Sequence, residues 1–248
     1  MKMKLKFFPL ALTIIILSLS ACNNKHDNKP IFADYTTILT LDKASDELKA
    51  EFKGYPYIFI ADEDSCILYP NNHASNPQYK PANNTRAVIQ YHIDKDDQAT
   101  KSYITEKIEL LAANGILTKD IVHTNKPDTL GTNEIEIASP MWISGGTLDS
   151  KKYLNINFRV YTPNMPTTHI INLAEIEGKS EIDSEGYYHL SLNHKYQNSV
   201  SSTGYTSVSM ASFALEDKHL APEVLGLKIT AKEISGNITT VTFKYNDK

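Results

Sequence analysis

Two cysteines, eight histidines and one short acidic run are the first residues of this 248-residue chain to consider for metal binding or reactivity. Metal-binding histidines often stand in H-E-x-x-H or closely spaced pairs, and the sequence contains neither H-E-x-x-H nor H-x-H. His189 and His194 are five positions apart and would face opposite sides of a strand. A zinc site made of cysteines would lack ligands, because Cys22 and Cys66 are the only two. The sequence therefore predicts no metal site and no cofactor.

The acidic run and the second cysteine give no sign of catalysis either. Asp62-Glu63-Asp64 lacks the glycine and the distal glutamate of an EF-hand calcium loop and is predicted to be a solvated turn. Cys66 lies in an apolar, strand-like stretch, as expected of a small buried hydrophobic residue. The G-x-S-x-G, P-loop and G-x-G-x-x-G motifs are missing from the sequence. We therefore predict no catalytic residue and a non-enzymatic protein.

An export signal is predicted at the start of the chain. Three lysines fall within the first six residues, and residues 7–18 then form an apolar stretch. That stretch has the length of a signal-peptide core and is shorter than the roughly 20 residues needed to span a bilayer. Residues 1–21 are therefore predicted to be a signal peptide that is removed from the mature protein.

A lipid-modified cysteine is predicted immediately after this signal. Residues 19–22 read Leu-Ser-Ala-Cys, which resembles the lipobox of bacterial lipoproteins. The resemblance implies that Cys22 becomes the first residue and carries several acyl chains, which anchor far more stably than a single chain. It also implies an outer-membrane lipoprotein that faces the periplasm or the cell surface. The alternative is an ordinary secretory signal cleaved near Ala21. Residues 22–33 are polar, without periodicity, and are predicted to form a flexible tether.

Composition and charge exclude nucleic acid as a partner. The formal net charge is −4, and it becomes more negative once the three leader lysines are removed. Arg86 and Arg159 are the only arginines, and the sequence shows no basic stripe. No second apolar run is long enough to cross a membrane. Because no such run is present, we expect the protein to contact the membrane through the lipid at Cys22.

Alternation of apolar and polar residues predicts β-strands along almost the whole chain. The clearest case is residues 153–161, where apolar side chains take one face and Asn155, Asn157 and Arg159 take the other. Such alternation is typical of a strand with one buried face and one polar face.

Turn signals between the apolar runs predict hairpins. Gly236-Asn237 is a two-residue turn signal and predicts a terminal hairpin over residues 225–246. The acidic turn predicts a second hairpin between residues 57 and 69. Residues 104–111 fit a strand or a helix, and their β-rich surroundings favour a strand. One short helix is predicted over residues 45–52.

The β pattern lapses once and thereby suggests two domains. Residues 119–133 (KDIVHTNKPDTLGTN) contain proline and glycine and no alternation. We predict a small β-barrel over residues 34–122, a linker over residues 123–133 and a β-sandwich over residues 134–248. The fold class is therefore predicted to be all-β.

The order of several sequence blocks resembles the NigD-like lipoproteins of Bacteroidetes. These blocks are YIFIADEDSCILYP at 57–70, RAVIQY at 86–91, ILTKDI at 116–121, and MWISGG followed by YLNINF within 135–158. The resemblance runs in order from about residue 35 to residue 245. It implies an OB-like N-terminal barrel and an immunoglobulin-like C-terminal sandwich. It brings no catalytic residue set.

Three classes of function follow. The first is a non-enzymatic envelope lipoprotein that binds a protein or glycan partner or acts in bacteriocin immunity, the role proposed where the family received its name. The alternative is a fimbrial or adhesin-type subunit or a glycan-binding accessory lipoprotein. Fimbrial lipoproteins usually carry an arginine-protease site early in the mature chain, and no arginine here precedes Arg86. An enzyme would need clustered acid, base or nucleophilic groups. The sequence favours the first class. Trp142 is the only tryptophan and is expected to be a packing residue more often than a surface on which a sugar stacks.

One site of covalent modification is predicted between the two domains. Asp128-Thr129-Leu130 resembles the Asp-Thr-apolar signal at which Bacteroidetes glycosylate exported proteins. The triplet falls in the predicted linker, where exposed backbone is expected. Thr129 is therefore a predicted O-glycosylation site, although a pattern of three residues also arises by chance.

Overall fold

The computed structural model describes residues 35–43, 57–62, 67–70, 85–93, 105–145, 151–164, 167–198 and 203–245. The regular structure in these ranges is β-strand with two short 3-10 turns, which confirms the all-β fold class. No helix in these ranges is long and apolar enough to cross a membrane. The predicted signal peptide, Cys22, the tether, the helix predicted over residues 45–52, and Cys66 lie outside the described residues.

The N-terminal half forms a curled five-stranded sheet of the OB type. Its strands are β1 (Tyr35–Lys43), β2 (Tyr57–Ala61), β3 (Ile67–Pro70), β4 (Thr85–Ile93) and β5 (Thr105–Asp120). The antiparallel neighbours are β1 with β2 and β4, β2 with β3, and β4 with β5. Parallel pairing of β3 with β5 then brings the two ends of the sheet together. This order matches the predicted OB-like barrel and its predicted hairpin.

Alternation explains which side chains fill the barrel. In β4, Ala87, Ile89 and Tyr91 are buried, whereas the residues between them are half-buried. In β5, Ile108 and Leu110 are buried on the same principle, which confirms that this stretch is a strand. Together with residues of β2 and β3 they form an apolar cluster of their own.

The C-terminal half is a β-sandwich, as predicted. Its strands are β6 (Val122–Thr124), β7 (Glu136–Gly145), β8 (Lys152–Pro163), β9 (His169–Ile176), β10 (Tyr187–Tyr196), β11 (Gly204–Ala214), β12 (Gly226–Lys232) and β13 (Ile238–Lys244). One layer runs β11-β8-β7, and the other runs β13-β12-β10-β9-β6. The facing apolar rows of the two layers make a second cluster, around Leu154, Phe213 and Leu227.

The predicted terminal hairpin is confirmed, with one difference. β12 and β13 pair antiparallel, and Gly236 has φ +86° in the turn between them, a conformation that favours glycine. Leu225, the first residue of the predicted range, is exposed and lies just before the strand, which begins at Gly226.

Backbone pairing connects the two halves. The last residues of β5, from Leu117 to Asp120, pair in parallel with Ala211 to Ala214 of β11, so one hydrogen-bonded ladder passes through both halves. The predicted linker over residues 123–133 contains the end of β6, paired with β9, and a 3-10 turn over Pro127–Leu130. The apolar side chains nevertheless form two separate clusters. The domain boundary near residues 123–133 stays a prediction.

Candidate functional site

A fully buried arginine lies where the barrel meets the sandwich. Arg86 projects from β4, and its Nη1 donates to Oδ1 of Asp62 at 2.8 Å, while its Nη2 donates to Oδ2 of the same carboxylate. Two parallel contacts of this kind are the strongest form of charge-assisted pairing. The sequence placed Asp62 in a solvated turn; it lies in a turn, but the predicted solvation is wrong for this residue, and Glu63 and Asp64 lie outside the described residues. The Asp62 side chain is 6% exposed because the guanidinium covers it.

Three side chains of the sandwich complete the surroundings of this arginine. Arg86 Nη2 also donates to Ser144 Oγ at 2.7 Å and to Asn155 Oδ1 at 3.4 Å. Asn155 Nδ2 donates to Ser144 Oγ at 2.7 Å, and Ser212 Oγ donates to Asn155 Oδ1 at 2.6 Å. Asn155 was expected on a polar outer face of β8. It is fully buried, and its hydrogen bonds compensate for the loss of water.

An aromatic ring and a backbone contact add to this arrangement. The guanidinium carbon of Arg86 lies 4.8 Å from the ring centroid of Tyr153, a cation–π distance. Burial raises the pKa of the Tyr153 hydroxyl above its usual value. The Arg86 backbone N–H donates to Thr118 Oγ1 at 3.2 Å. We call the six residues Asp62, Arg86, Ser144, Tyr153, Asn155 and Ser212 the Arg86 network.

The Arg86 network connects the halves of the molecule and does not present a reactive group. Asp62 and Arg86 belong to the barrel, whereas the other four residues belong to β7, β8 and β11. Its charged groups neutralise each other away from solvent. Trp142 lies beside it, since β7 pairs Trp142 with Asn155, and it is half-buried on the strand face opposite Met141 and Ile143.

A second cluster of ionisable groups lies at one edge of the sandwich. His123 of β6 contacts two carboxylates, with Nδ1 at 2.9 Å from Glu175 Oε2 and Nε2 at 2.6 Å from Glu216 Oε1. Lys218 Nζ lies 2.7 Å from Glu175 Oε2 and 3.1 Å from Glu216 Oε2. These residues come from separate parts of the sequence and share no motif. We call His123, Glu175, Glu216, Lys218 and His219 the His123 cluster.

His219 is the fully buried member of this cluster, and its neighbours fix its tautomer. The Glu216 backbone N–H donates to His219 Nδ1 at 3.0 Å, so Nδ1 accepts and Nε2 carries the proton. Nε2–H therefore donates to Glu175 Oε1 at 2.6 Å. Burial lowers the pKa of His219, which keeps the ring neutral. Hydrogen bonds from Lys218 and His219 outweigh burial and lower the pKa of Glu175.

Two further histidines, one on β9 and one on β10, stack on each other. His194 is fully buried, and its Nδ1–H donates to the Glu134 carbonyl at 2.8 Å. Its Nε2 is therefore free to accept from His169 Nδ1–H at 3.1 Å. The rings lie 5.2 Å apart and nearly parallel, with Tyr196 packed edge-on against both. This arrangement was not predicted from the sequence, because alternation shows which face of a strand is buried but not how its polar atoms pair.

We predict that the protein loses stability in mild acid, because three of its histidines are wholly or partly buried. Burial lowers the pKa of His169, His194 and His219 from the ordinary value of a histidine, so the unfolded chain takes up protons first as the pH falls. We expect the free energy of unfolding to decrease from pH 7 to pH 5, with a slope of up to about 1.4 kcal/mol per pH unit for each of the fully buried rings of His194 and His219, and a smaller contribution from half-buried His169. Urea denaturation at a series of pH values measures how the free energy of unfolding depends on pH.

A substitution separates the histidine contribution from that of the carboxylates. His194→Gln removes one titrating group, and the variant should lose stability less steeply between pH 6.5 and pH 5 than the unaltered chain. The control is His189→Gln, which changes a partly exposed histidine that contacts Asp183. An identical slope for His194→Gln and the unaltered chain would show that His194 does not contribute.

The fold and the sequence place the chain in one family. An OB-like sheet followed by a β-sandwich defines a two-part all-β protein, and the NigD-like C-terminal beta sandwich domain matches residues 118–245, more than half of the chain. The chain belongs to the NigD-like family. No curated protein sequence matches it.

Solved structures from Bacteroides share the fold. A protein of unknown function from Bacteroides vulgatus is 21% identical with a TM-score of 0.60, covering 85% of this chain and 90% of that one. A candidate lipoprotein from Bacteroides fragilis is 17% identical with a TM-score of 0.56 over 85% and 96%. A NigD-like immunity protein from Bacteroides caccae is 15% identical with a TM-score of 0.55 over 87% and 98%. At these identities the likeness concerns the fold alone.

Proposed function

We propose that this chain is a non-enzymatic lipoprotein of the outer membrane that binds a partner. The observation that carries the proposal is the Leu-Ser-Ala-Cys sequence at residues 19–22 behind a basic, apolar leader. Membership of the NigD-like family is consistent with it, since one structural neighbour is itself a candidate lipoprotein. Lipid on Cys22 would hold the folded domains at the membrane surface through the tether.

Binding without chemistry agrees with how the charged groups are used. In the described ranges, the Arg86 network is closed to solvent and neutralised internally. The surface clusters around Glu175 and Asp183 each contain a lysine in contact with the carboxylates. An enzyme would instead keep an acid, a base or a nucleophile free of such pairing. These contacts favour a scaffold whose surface meets another molecule.

A protein is the partner we favour, and bacteriocin immunity is one form that this binding could take. The neighbour from Bacteroides caccae is called an immunity protein. Large apolar side chains that could contact a protein lie exposed on this chain at Tyr205, Val208 and Ile238. Immunity would require that the chain captures a toxin at the envelope before the toxin reaches its target.

Crosslinking in the native host tests this proposal. A photo-crosslinking amino acid is placed at Tyr205, Val208 or Ile238 in turn, and cells are irradiated. We expect one defined adduct with a different protein from at least one position, and none from a crosslinker at buried Phe213. A ladder of adducts of this chain with itself would contradict the proposal and indicate a fimbrial subunit. Failure of all three exposed positions would also contradict it.

The predicted modification of Thr129 is a separate proposal. Thr129 is exposed in the 3-10 turn, where its hydroxyl donates to the Lys126 carbonyl at 2.7 Å. A sugar on this oxygen would replace that hydrogen bond and extend into solvent. We expect the delipidated protein from its native host to be heavier than the bare polypeptide, and Thr129→Ala to remove the excess mass. An intact mass equal to that of the polypeptide would contradict the proposal.

A further inference from the structure

Three ligand-bearing side chains converge at the edge of the sandwich. One ligand atom each from His123, Glu175 and Glu216 lies within 4.8 Å of the other two. The imidazole stands between the two carboxylates and contacts one with each ring nitrogen. An imidazole nitrogen and two carboxylate oxygens are a donor set that suits zinc and other late first-row divalent cations.

A hydrogen bond from a buried histidine holds one of these ligands in place. Glu175 is buried on β9, and His219 Nε2–H donates to its Oε1 at 2.6 Å. The His219 ring is itself oriented by the Glu216 backbone N–H. Glu175 Oε2 is thereby directed toward His123 and Lys218. Support of a ligand by a second layer of hydrogen bonds is a common feature of metal sites.

A positively charged side chain already lies between the two carboxylates. The Lys218 ammonium contacts both Glu175 and Glu216, at 2.7 Å and 3.1 Å. Its side chain is 42% exposed and that of His123 is 51% exposed, so both can move without opening the core. A divalent cation could therefore replace the ammonium and gain an imidazole ligand in the same exchange.

Space for the remaining ligands lies next to His123. An open depression of about 510 Å³ is bordered by His123, Asn125, Glu175, Glu177 and Ser180. A zinc ion with three protein ligands keeps one position for water or for a group from another molecule. The depression borders two of the three ligands, His123 and Glu175, and would leave a position on that side of the ion accessible.

We propose that His123, Glu175 and Glu216 bind one zinc-class divalent cation, which displaces the Lys218 ammonium. The site differs from the sequence-based expectation of no metal, because its ligands lie far apart in the chain and meet only in the folded sandwich. Calcium and magnesium are disfavoured, since they require six or more oxygen ligands or retained waters. The proposal is independent of the lipid anchor and of the binding partner.

Zinc titration of the untagged, detergent-solubilised mature protein tests the site. Equilibrium dialysis should show one zinc ion per chain that is bound more tightly than any other, and calcium should not compete at equal concentration. His123→Ala should weaken this binding at least ~10-fold. Lys218→Met should strengthen it, because the competing ammonium is removed while the three ligands remain. A purely structural salt-bridge cluster would not bind zinc more tightly after loss of its lysine.

The control is a cluster of the same residue types. His189, Asp183, Glu185 and Lys228 also combine a histidine, two carboxylates and a lysine. His189→Ala should leave zinc affinity unchanged. Absence of saturable zinc binding, an unchanged affinity in His123→Ala, or weaker binding in Lys218→Met would each overturn the proposal. Circular dichroism of each variant checks that the β fold is intact.

Discussion

Replacing Arg86 with methionine is expected to lower the free energy of unfolding by about 3–5 kcal/mol. The substitution leaves the Asp62 carboxylate buried without its counter-charge. It also removes the hydrogen bonds that the guanidinium donates to Ser144 and Asn155. A buried charge that has lost its partner costs far more than the pair contributes while intact. The measurement is the midpoint and slope of guanidinium chloride denaturation followed by circular dichroism.

The other arginine of the chain supplies a matched control. Arg159 pairs with Glu136 at 2.6 Å, but its side chain is 47% exposed. Arg159→Met should therefore cost less than about 1 kcal/mol. Equal destabilisation by the two substitutions would contradict the role that we give to the Arg86 network.

Two further variants separate charge from geometry. Arg86→Lys keeps the positive charge but loses the forked guanidinium that contacts Asp62, Ser144 and Asn155, so we expect a substantial loss of stability here too. The double variant Asp62→Leu with Arg86→Met removes both charges and should be more stable than Arg86→Met alone. If the double variant is less stable than the single one, the buried carboxylate is not the main cause of the loss.

Much of the fold could be predicted from alternation alone. Residues 153–161 and 225–246 show a period of two because one face of each strand packs on the sandwich core, and that period is visible without any structure. The closure of the OB-like sheet could not be obtained in this way. Pairing of β3 with β5 is non-local, and the sequence suggested the barrel through its length and its resemblance to the family.

The sites were less accessible to sequence reasoning, for a physical reason. Alternation assigns a residue to a face but does not show what covers that face. Asn155 is polar and alternates with apolar neighbours, so it was placed outside, yet the barrel brings Arg86 over it. His123 and Glu216 likewise approach to 2.6 Å from distant parts of the chain. Arg86 offered one usable signal, since it is the only arginine or lysine of strand β4 and directly precedes an apolar run.

Replacing Cys22 with serine is expected to move the whole protein from the membrane to the soluble fraction. Only the cysteine sulfur can receive the diacylglyceryl group that the lipobox resemblance implies. The mature chain has no other predicted contact with the bilayer, and several acyl chains account for stable anchoring. Cys66→Ser, which changes the other cysteine, should leave the protein in the membrane.

Labelling with palmitate is the most direct test of the central claim, that lipid on Cys22 anchors the protein to the membrane. Cells that express the unaltered chain, Cys22→Ser or Cys66→Ser are grown with labelled palmitate and separated into membrane and soluble fractions. The account predicts label and membrane association for the unaltered chain and Cys66→Ser, and neither for Cys22→Ser. A Cys22→Ser protein that stays in the membrane and takes up palmitate as before would contradict it.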